Sequence, residues 1–406
     1  METVYEKACG IDVHKDLIVS CVIVKGRRQI RSFGTMTRDL LELTAWLKET
    51  GCQMTAMEST GSYWKPVYNL LEAEGIPAMV VNAQHIKNVP GRKTDVKDSE
   101  WIADLLRHGL LRASYIPARD QRELRELVRY RKSMIEERAR EFNRVQKVLE
   151  GANIKLGSVV SNIEGKSATA MIDAIVSGNT DPDELSELAK GSLKEKKAEL
   201  AKALQGVIGS HQRMILGAMR QHIRVLDSLI ESLDAEIAGR LAAQSELLEA
   251  IETIPGVGER SAQVILAEIG WDMSVFPTAH HLASWAGVCP GNNESAGKKH
   301  SGRTRKSNKT LKTILVQCAK ANARGKSTYL YAQYSRIASR RGANKATIAV
   351  AHSILIIVYH ILKNGGTYRE LGGGYFDEIR KEAVVRRAVK RIEALGYTVS
   401  AEPLAI

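Results

Sequence analysis

Cys9-Gly-Ile-Asp-Val13 and Leu17-Ile-Val-Ser-Cys-Val-Ile-Val24 stand three residues apart near the start of the chain. The second is an apolar, β-branched run of strand type, and the first is a shorter apolar run interrupted by Asp12. Residues 29–34 return as a third strand. Residues 38–49 then carry Leu40, Leu41, Leu43, Ala45, Trp46 and Leu47 at helical spacing, with Thr37 as the expected N-cap. Met54-Thr-Ala-Met57 reads as a strand that ends at Glu58, residues 62–74 as a helix, and Ile76-Pro-Ala-Met-Val-Val81 as a returning strand. A meander of strands followed by alternating helices and strands predicts a mixed α/β sheet.

Acids interrupt this pattern at particular places. Asp12 falls near the end of the first strand and Glu58 directly after the fourth, at the sheet edge where α/β proteins place ligands. Lys93-Thr-Asp-Val-Lys-Asp98 adds Asp95 and Asp98, which share one face if the segment opens a helix. An N-cap role for Asp95 and a plain surface role for Glu58 are the bland alternatives. Taken together, the four carboxylates form an oxygen-rich set suited to Mg²⁺, which binds few carboxylates and leaves positions open for phosphate oxygens.

Composition bounds the partners. The chain has 406 residues, room for two or three domains, with 59 Lys and Arg against 46 Asp and Glu, a net charge of +13. That balance favours a polyanion, most simply nucleic acid, and no lipidation motif or basic amphipathic anchor points to a membrane surface. Cys9, Cys21, Cys52, Cys289 and Cys318 lack CxxC spacing, so reduced core thiols in a cytoplasmic protein are expected rather than disulfides or a zinc site. The first residues lack the basic start and apolar run of a signal peptide. The most apolar stretch, residues 346–362, is short for a bilayer and is expected to be a buried helix.

From about Asp120 the pattern changes to long charged helices. Leu124, Val128, Ile135, Phe142, Val145 and Leu149 recur at three- and four-residue steps, with Arg131 and Arg138 in the same seam. Residues 212–248 form a second such helix, and the two read as arms of an antiparallel or intermolecular coiled coil. The first arm also holds Arg122, Arg125, Arg129, Arg140, Arg144 and Lys147, an arginine excess that favours a polyanionic partner over a merely solvated face. Ile254-Pro-Gly-Val-Gly258 lies between two helical segments and resembles a helix-hairpin-helix, in which Gly256 and Gly258 let backbone N–H groups approach a phosphate. A packing hairpin is the competing reading. Residues 291–309 are rich in Gly, Ser and Asn and are expected to be a loop. Ser295 lies there among the cations Lys298, Lys299, Arg303 and Arg305. A last basic helix over about 377–395 precedes a short strand-like tail.

Gly10-Ile-Asp-Val-His-Lys15, Met57-Glu-Ser-Thr-Gly-Ser-Tyr63, Lys93–Asp98, Ile254–Gly258 and Glu294-Ser-Ala-Gly-Lys298 occur in the order found in a known family. The chain resembles the DEDD insertion-sequence transposases, also called bridge-RNA-guided serine recombinases. The resemblance implies a RuvC-like, RNase H-type domain over 1–118, a helical oligomerisation region over 119–246, and a mainly helical transposase domain with helix-hairpin-helix over 247–406. It matches Asp12, Glu58, Asp95 and Asp98 to the metal-site acids and Ser295 to the nucleophile, with Ser301 a second hydroxyl close by. It implies donor and target DNA, an element-encoded noncoding bridge RNA, dimers and tetramers, and a prokaryotic, nucleoid-associated setting. A Mg²⁺-dependent Holliday-junction-type endonuclease using water is the alternative enzyme, and a nucleic-acid-binding scaffold the non-enzymatic one.

Overall fold

The computed structural model describes residues 3–59, 61–82, 98–290, 294–295, 298–299, 304 and 307–402. The chain divides into two compact units, residues 1–117 and 118–406.

The first unit is built on a five-stranded sheet in the order β3-β2-β1-β4-β5. β1 (Lys7–Val13), β2 (Ile18–Val24) and β3 (Arg27–Phe33) form an antiparallel meander, whereas β4 (Met54–Glu58) runs parallel to β1 and β5 (Ala78–Val81) parallel to β4. Lys25 and Gly26 turn β2 into β3 with positive φ at both positions (46° and 82°), as a tight hairpin of right-twisted strands requires. Cys9, Ile11 and Val13 join Met57 in a core with Leu40, Leu43 and Leu47 of α1 (Thr37–Thr50) and Val67 and Leu71 of α2 (Trp64–Ala73). Ala8, Ala56 and Val81 instead pack with Ile102, Leu105 and Leu106 of α3 (Asp98–Arg107). β1 is therefore covered on both faces, which is why it reads as a nearly continuous apolar run.

The expected order of strands and helices holds through residue 81. The start of α1 differs by one residue. Met36 is the N-cap, and its N–H donates to the Asp39 carboxylate at 3.1 Å, so the acid three residues on does the capping expected of Thr37.

In the second unit α4 (Arg119–Gly151, 33 residues) and α9 (Ser210–Arg240, 31 residues) lie side by side. They are antiparallel within one chain: Glu123 meets Arg240, Arg131 meets Asp234, and Arg138 meets Asp227. Between them α5 (Leu156–Val159), α6 (Lys166–Val176), α7 (Pro182–Glu187) and α8 (Lys197–Leu204) enclose a core around Leu149, Met171, Ile172, Leu200 and Leu216. The second arm is shorter than the spacing predicts. α9 stops at Arg240, Leu241 is buried at the break, and one 3-10 turn (Ala242–Gln244) redirects the chain into α10 (Ser245–Glu252).

α10 and α11 (Glu259–Ile269) are followed by α12 (Ala279–Trp285), α13 (Lys309–Asn322), α14 (Tyr329–Arg341) and α15 (Ala343–Asn364). α15 is long and apolar enough by composition to cross a membrane, yet Val350, Ile354, Leu355 and Val358 are fully buried and α10, α12, α13 and α14 pack on it. It is the core helix the apolar run predicted. α16 (Tyr375–Glu378) and α17 (Lys381–Glu393) replace the expected single last helix, and residues 397–402 form no strand. The cysteines are free, and burial pushes the Cys21 and Cys52 thiols up to about 11.

Candidate active site

The first unit gathers acids at one end of its sheet. β1 and β4 are parallel neighbours with Gly10 beside Ala56 and Ile11 beside Met57, so the next step along both strands sets Asp12 beside Glu58. Adjacent strands lie about 4.8 Å apart. Side chains alternate faces, and Ala8 and Ala56 face α3, so Asp12 and Glu58 lie on the α3 face too. Glu58 closes β4, where the next residue's N–H, that of Ser59, donates to the Val81 carbonyl at 3.0 Å.

α3 completes this edge. The Arg107 carbonyl at its C-terminus accepts N–H bonds from Val4 (2.9 Å) and Tyr5 (3.3 Å) before β1, so the helix runs against β1 and begins at the Asp12 end. Gly10 fixes how closely it sits. A Cβ there would lie 2.1 Å from the Ser99 carbonyl oxygen and 2.4 Å from the Ala103 nitrogen. Only a glycine lets α3 rest on β1 at that distance, which brings Asp98, the first residue of α3, to the same edge.

Asp12 has a partner that the strand pattern alone did not single out. His14 Nε2 is 3.0 Å from Asp12 Oδ2, with the imidazole exposed and the carboxylate mostly covered. The signal was present in Asp12-Val-His14, since His14 directly follows β1 and stands two residues from Asp12, the spacing at which extended chain puts side chains on one face. Asp95 lies outside the described residues. Among the described residues no three His, Cys, Asp or Glu side chains form a group able to hold a metal ion. Asp12, Glu58 and Asp98 therefore belong to one end of the sheet by register and helix placement without forming a metal-holding group there, although carboxylate oxygens are the donor type that a hard cation such as Mg²⁺ takes.

The second unit frames Ser295. Glu294 and Ser295 (β6) pair antiparallel with Lys299 and Lys298 (β7), so the expected loop contains a small hairpin. A bridge between Pro290 and Thr304 closes its base. Ser301, Arg303 and Arg305 lie outside the described residues. Downstream, the Ser307 hydroxyl donates to the Ala286 carbonyl at 2.9 Å, and Asn308 caps α13 by accepting from Leu311 N–H at 3.1 Å.

Asn308 also donates at 2.6 Å to Glu268, a fully buried carboxylate on α11. Arg129 of α4 grips the same carboxylate with two hydrogen bonds, at 2.7 and 2.8 Å, and Arg125 stands at 3.6 Å. The Glu268 hydrogen bond holds the Arg129 guanidinium above its ordinary pKa, against the opposing effect of burial. Glu268 therefore ties the downstream end of the serine loop to the root of the long arm. A single acid in the apolar run Ala262–Ile269 was the available signal, because a buried charge requires partners.

The hairpin glycines are used differently. Gly256, at φ +78°, packs against α13, where a Cβ would meet the Asn322 amide at 2.5 Å and the Cys318 carbonyl at 2.7 Å. Gly258 has nothing within 4 Å of its Cβ position and leads into the exposed start of α11.

A transposase family model of the DEDD IS110 type matches residues 9–154, a span that includes all four acids. A second, described as transposase IS116/IS110/IS902 family, matches residues 248–335, which include the hairpin and Ser295. The transposase for insertion sequence element IS1111A of Coxiella burnetii is 23% identical over 89% of this chain and 91% of its own length. A probable family 20 transposase of Pseudomonas aeruginosa is 25% identical over 89% of this chain and 94% of its own. The insertion element IS110 43.6 kDa protein of Streptomyces coelicolor is 28% identical over 69% of this chain and 73% of its own.

Proposed function

The chain belongs to the IS110-type DEDD transposases, and from that premise we propose that it cuts and rejoins DNA through a covalent bond between Ser295 and a DNA phosphate. The observation that carries the nuclease half is the register of β1 and β4, which sets Asp12 and Glu58 side by side on the face where α3 begins with Asp98. The strand order β3-β2-β1-β4-β5, three strands antiparallel and the rest parallel, supports an RNase H-like, RuvC-like reading of the first unit. The break between Pro117 and Ala118 supports the first of the proposed domain boundaries, 1–118, 119–246 and 247–406.

In this reading the Ser295 oxygen attacks the scissile phosphorus. The bond from phosphorus to the 3′-oxygen breaks, the serine proton is lost and the leaving oxygen takes one up as a free 3′-hydroxyl. A phosphoserine ester to the 5′ side remains. Attack by another 3′-hydroxyl reverses these bond changes and frees the serine, so the number of phosphoesters is conserved and no external energy source is required. Lys298, Lys299, Arg303 and Arg305 hold the phosphoryl oxygens, and Gly256 and Gly258 belong to the hairpin that follows the DNA backbone. Asp12, Glu58, Asp95 and Asp98 would hold Mg²⁺, which when bound supplies charge stabilisation at the phosphate. His14 keeps the Asp12 carboxylate oriented.

Partners follow from the same reading. The substrate is donor and target DNA, guided by a noncoding bridge RNA, and the net charge of +13 supports a large polyanionic partner. A homo-oligomer is supported by Ile215, Val225 and Leu229, apolar residues exposed on α9 away from its seam with α4.

The test is to incubate the protein with nicked suicide DNA and look for a covalent adduct on a denaturing gel. Ser295→Ala should abolish the adduct and leave DNA binding intact, and Ser301→Ala should retain it. Asp12→Asn should lower strand cleavage by at least about a hundredfold, the scale of losing an electrostatic contributor. An adduct that survives Ser295→Ala moves the nucleophile to Ser301. Metal-dependent cleavage without any adduct identifies water as nucleophile and the endonuclease reading as correct.

A further inference from the structure

Arg336 and Arg340 stand one helical turn apart on α14, and Arg380 and Arg387 stand two turns apart across the start of α17. With Lys326 they line a cleft of about 480 Å³ between α14 and the α16–α17 segment, in which Asp377 is the one acid. Three of the four arginines, Arg340, Arg380 and Arg387, are exposed. Among the described residues none of the five cations makes an ion pair; Arg340 spends only its Nε, on the Arg336 carbonyl at 3.2 Å. A concave surface with five cations on its walls against the single acid Asp377 is built for a chain of anions.

The aromatic residues narrow what that chain is. Phe376 lies at the cleft, but Arg336 covers its ring at 5.3 Å and Tyr329 stacks on it at 5.2 Å, 21° from parallel. The ring is spent on internal stacking, so it offers no platform for an unpaired base. Tyr331, half-buried, is the other aromatic of the lining, and the remaining polar groups are guanidinium and hydroxyl groups, including Ser335 and Ser339, which are phosphate-binding chemistry.

We propose that this cleft binds the sugar-phosphate backbone of a nucleic-acid duplex without reading its bases. Arg340, Arg380 and Arg387 hold the phosphates, and Arg336 is kept in place by Phe376 as one wall. The proposal rests on the transposase reading for the presence of nucleic acid. It goes beyond that reading in assigning a binding surface centred beyond the residues, 9–154 and 248–335, that the family models match.

The experiment uses the full chain and fluorescence anisotropy with a DNA duplex and an RNA duplex of the same sequence, titrated between about 0.05 and 0.2 M salt. The probe variant is the triple Arg340→Gln, Arg380→Gln, Arg387→Gln. The control is Lys381→Gln, Arg386→Gln, Lys390→Gln, which removes equal charge from residues of α17 that line a separate hollow. For the DNA duplex the slope of log affinity against log salt should become shallower by about 2–3 in the probe variant, near 0.9 for each phosphate that is no longer neutralised. The control should change it by less than half as much, and both variants should melt like the wild type. Loss on DNA alone supports a substrate-binding cleft, and loss on RNA alone supports a guide-binding one. Equal loss in probe and control, or no loss on either duplex, overturns the proposal. The serine reading is tested on wild-type adduct formation and this one on the salt slope, so either can fail alone.

Discussion

Two arginine-rich regions of this chain look alike in sequence and are used in opposite ways. On α4, Arg125 and Arg129 bind Glu268, Arg131 binds Asp234 and Gln263, Arg138 binds Asp227 and Glu164, and Arg144 binds Glu141. At the α14–α17 cleft the arginines have no such partners among the described residues. The charge excess that pointed to a polyanion on the first arm is therefore largely consumed in holding α4 to α9, α11 and the turn before α6. Arg140 and Lys147 are the α4 cations that remain unpaired among the described residues. Counting positive residues measures neither surface potential nor binding; what matters is which charges the fold has already neutralised.

If the α4 arginines are structural, removing a shared partner should be costly. Glu268→Ala strips the buried carboxylate from Arg125, Arg129 and Asn308 at once. Breaking a buried pair by deleting one side costs about 3–5 kcal/mol. The melting temperature should fall by more than about 5 °C, and the serine-dependent adduct should weaken as the loop loses its anchor. A variant that melts like the wild type would erase the distinction between the regions.

Arg131 sharpens the comparison one residue at a time. Its side chain is 2% exposed, and burial pushes its guanidinium pKa down against the opposing effect of Asp234. Arg131→Ala should cost about 3 kcal/mol, because it leaves a cavity and an unpaired Gln263 carbonyl. Arg131→Met should cost less, about 1–2 kcal/mol, since it refills the space and Asp234 keeps Arg260, leaving only the Gln263 amide oxygen unpaired. Arg340→Gln, at the cleft, should change stability by no more than about 0.5 kcal/mol. Thermal melts of the three variants rank them, and a cleft substitution as damaging as Arg131→Ala would contradict the assignment.

The sheet of the first unit was legible because its signals are local. A β-branched run, a positive-φ turn and an acid at a strand end are each contained within a few residues, and Asp12 and Glu58 fall at the sheet edge as expected for that reason. That they are neighbours depends on β1 pairing parallel with β4 across about forty residues, which no local pattern reveals. The fates of the arginines were less legible still. Arg131 finds Asp234 and Gln263 at separations of 103 and 132 residues, and Arg129 finds Glu268 across 139. Heptad spacing identifies the seam, but the carboxylate that answers each arginine is a tertiary fact. The break at Leu241 was hidden for a related reason: Leu-Ala-Ala-Gln continues a helical pattern well, Gly239 in the last turn of α9 is a weak stop signal by itself, and the burial of Leu241 at the break is a tertiary fact.

The smallest predicted effect is electrostatic and has a definite sign. Asp173 of α6 accepts two hydrogen bonds from Arg220 of α9, at 2.7 and 3.1 Å, and Arg224 lies at 3.3 Å. Burial raises the Asp173 carboxyl, but the Arg220 hydrogen bonds and the charges of Arg220 and Arg224 outweigh it and hold the group below its ordinary value of 3.8. A carboxylate whose folded pKa is depressed adds stability that is present above the unfolded pKa and is lost as pH falls through the folded one. Below about pH 4 the wild type should therefore lose melting temperature more steeply than Asp173→Asn, which has no such pair to lose. The carboxylate is about a third exposed, so about 0.5 M salt should narrow the gap. The cleft triple variant provides the contrast: its arginines stabilise no carboxylate among the described residues, so its melting curve should follow the wild type throughout the acid range. Parallel acid profiles for wild type and Asp173→Asn would mean that this pair is geometry without energy. A cleft variant with a flattened profile would mean that its arginines, too, are spent inside the fold.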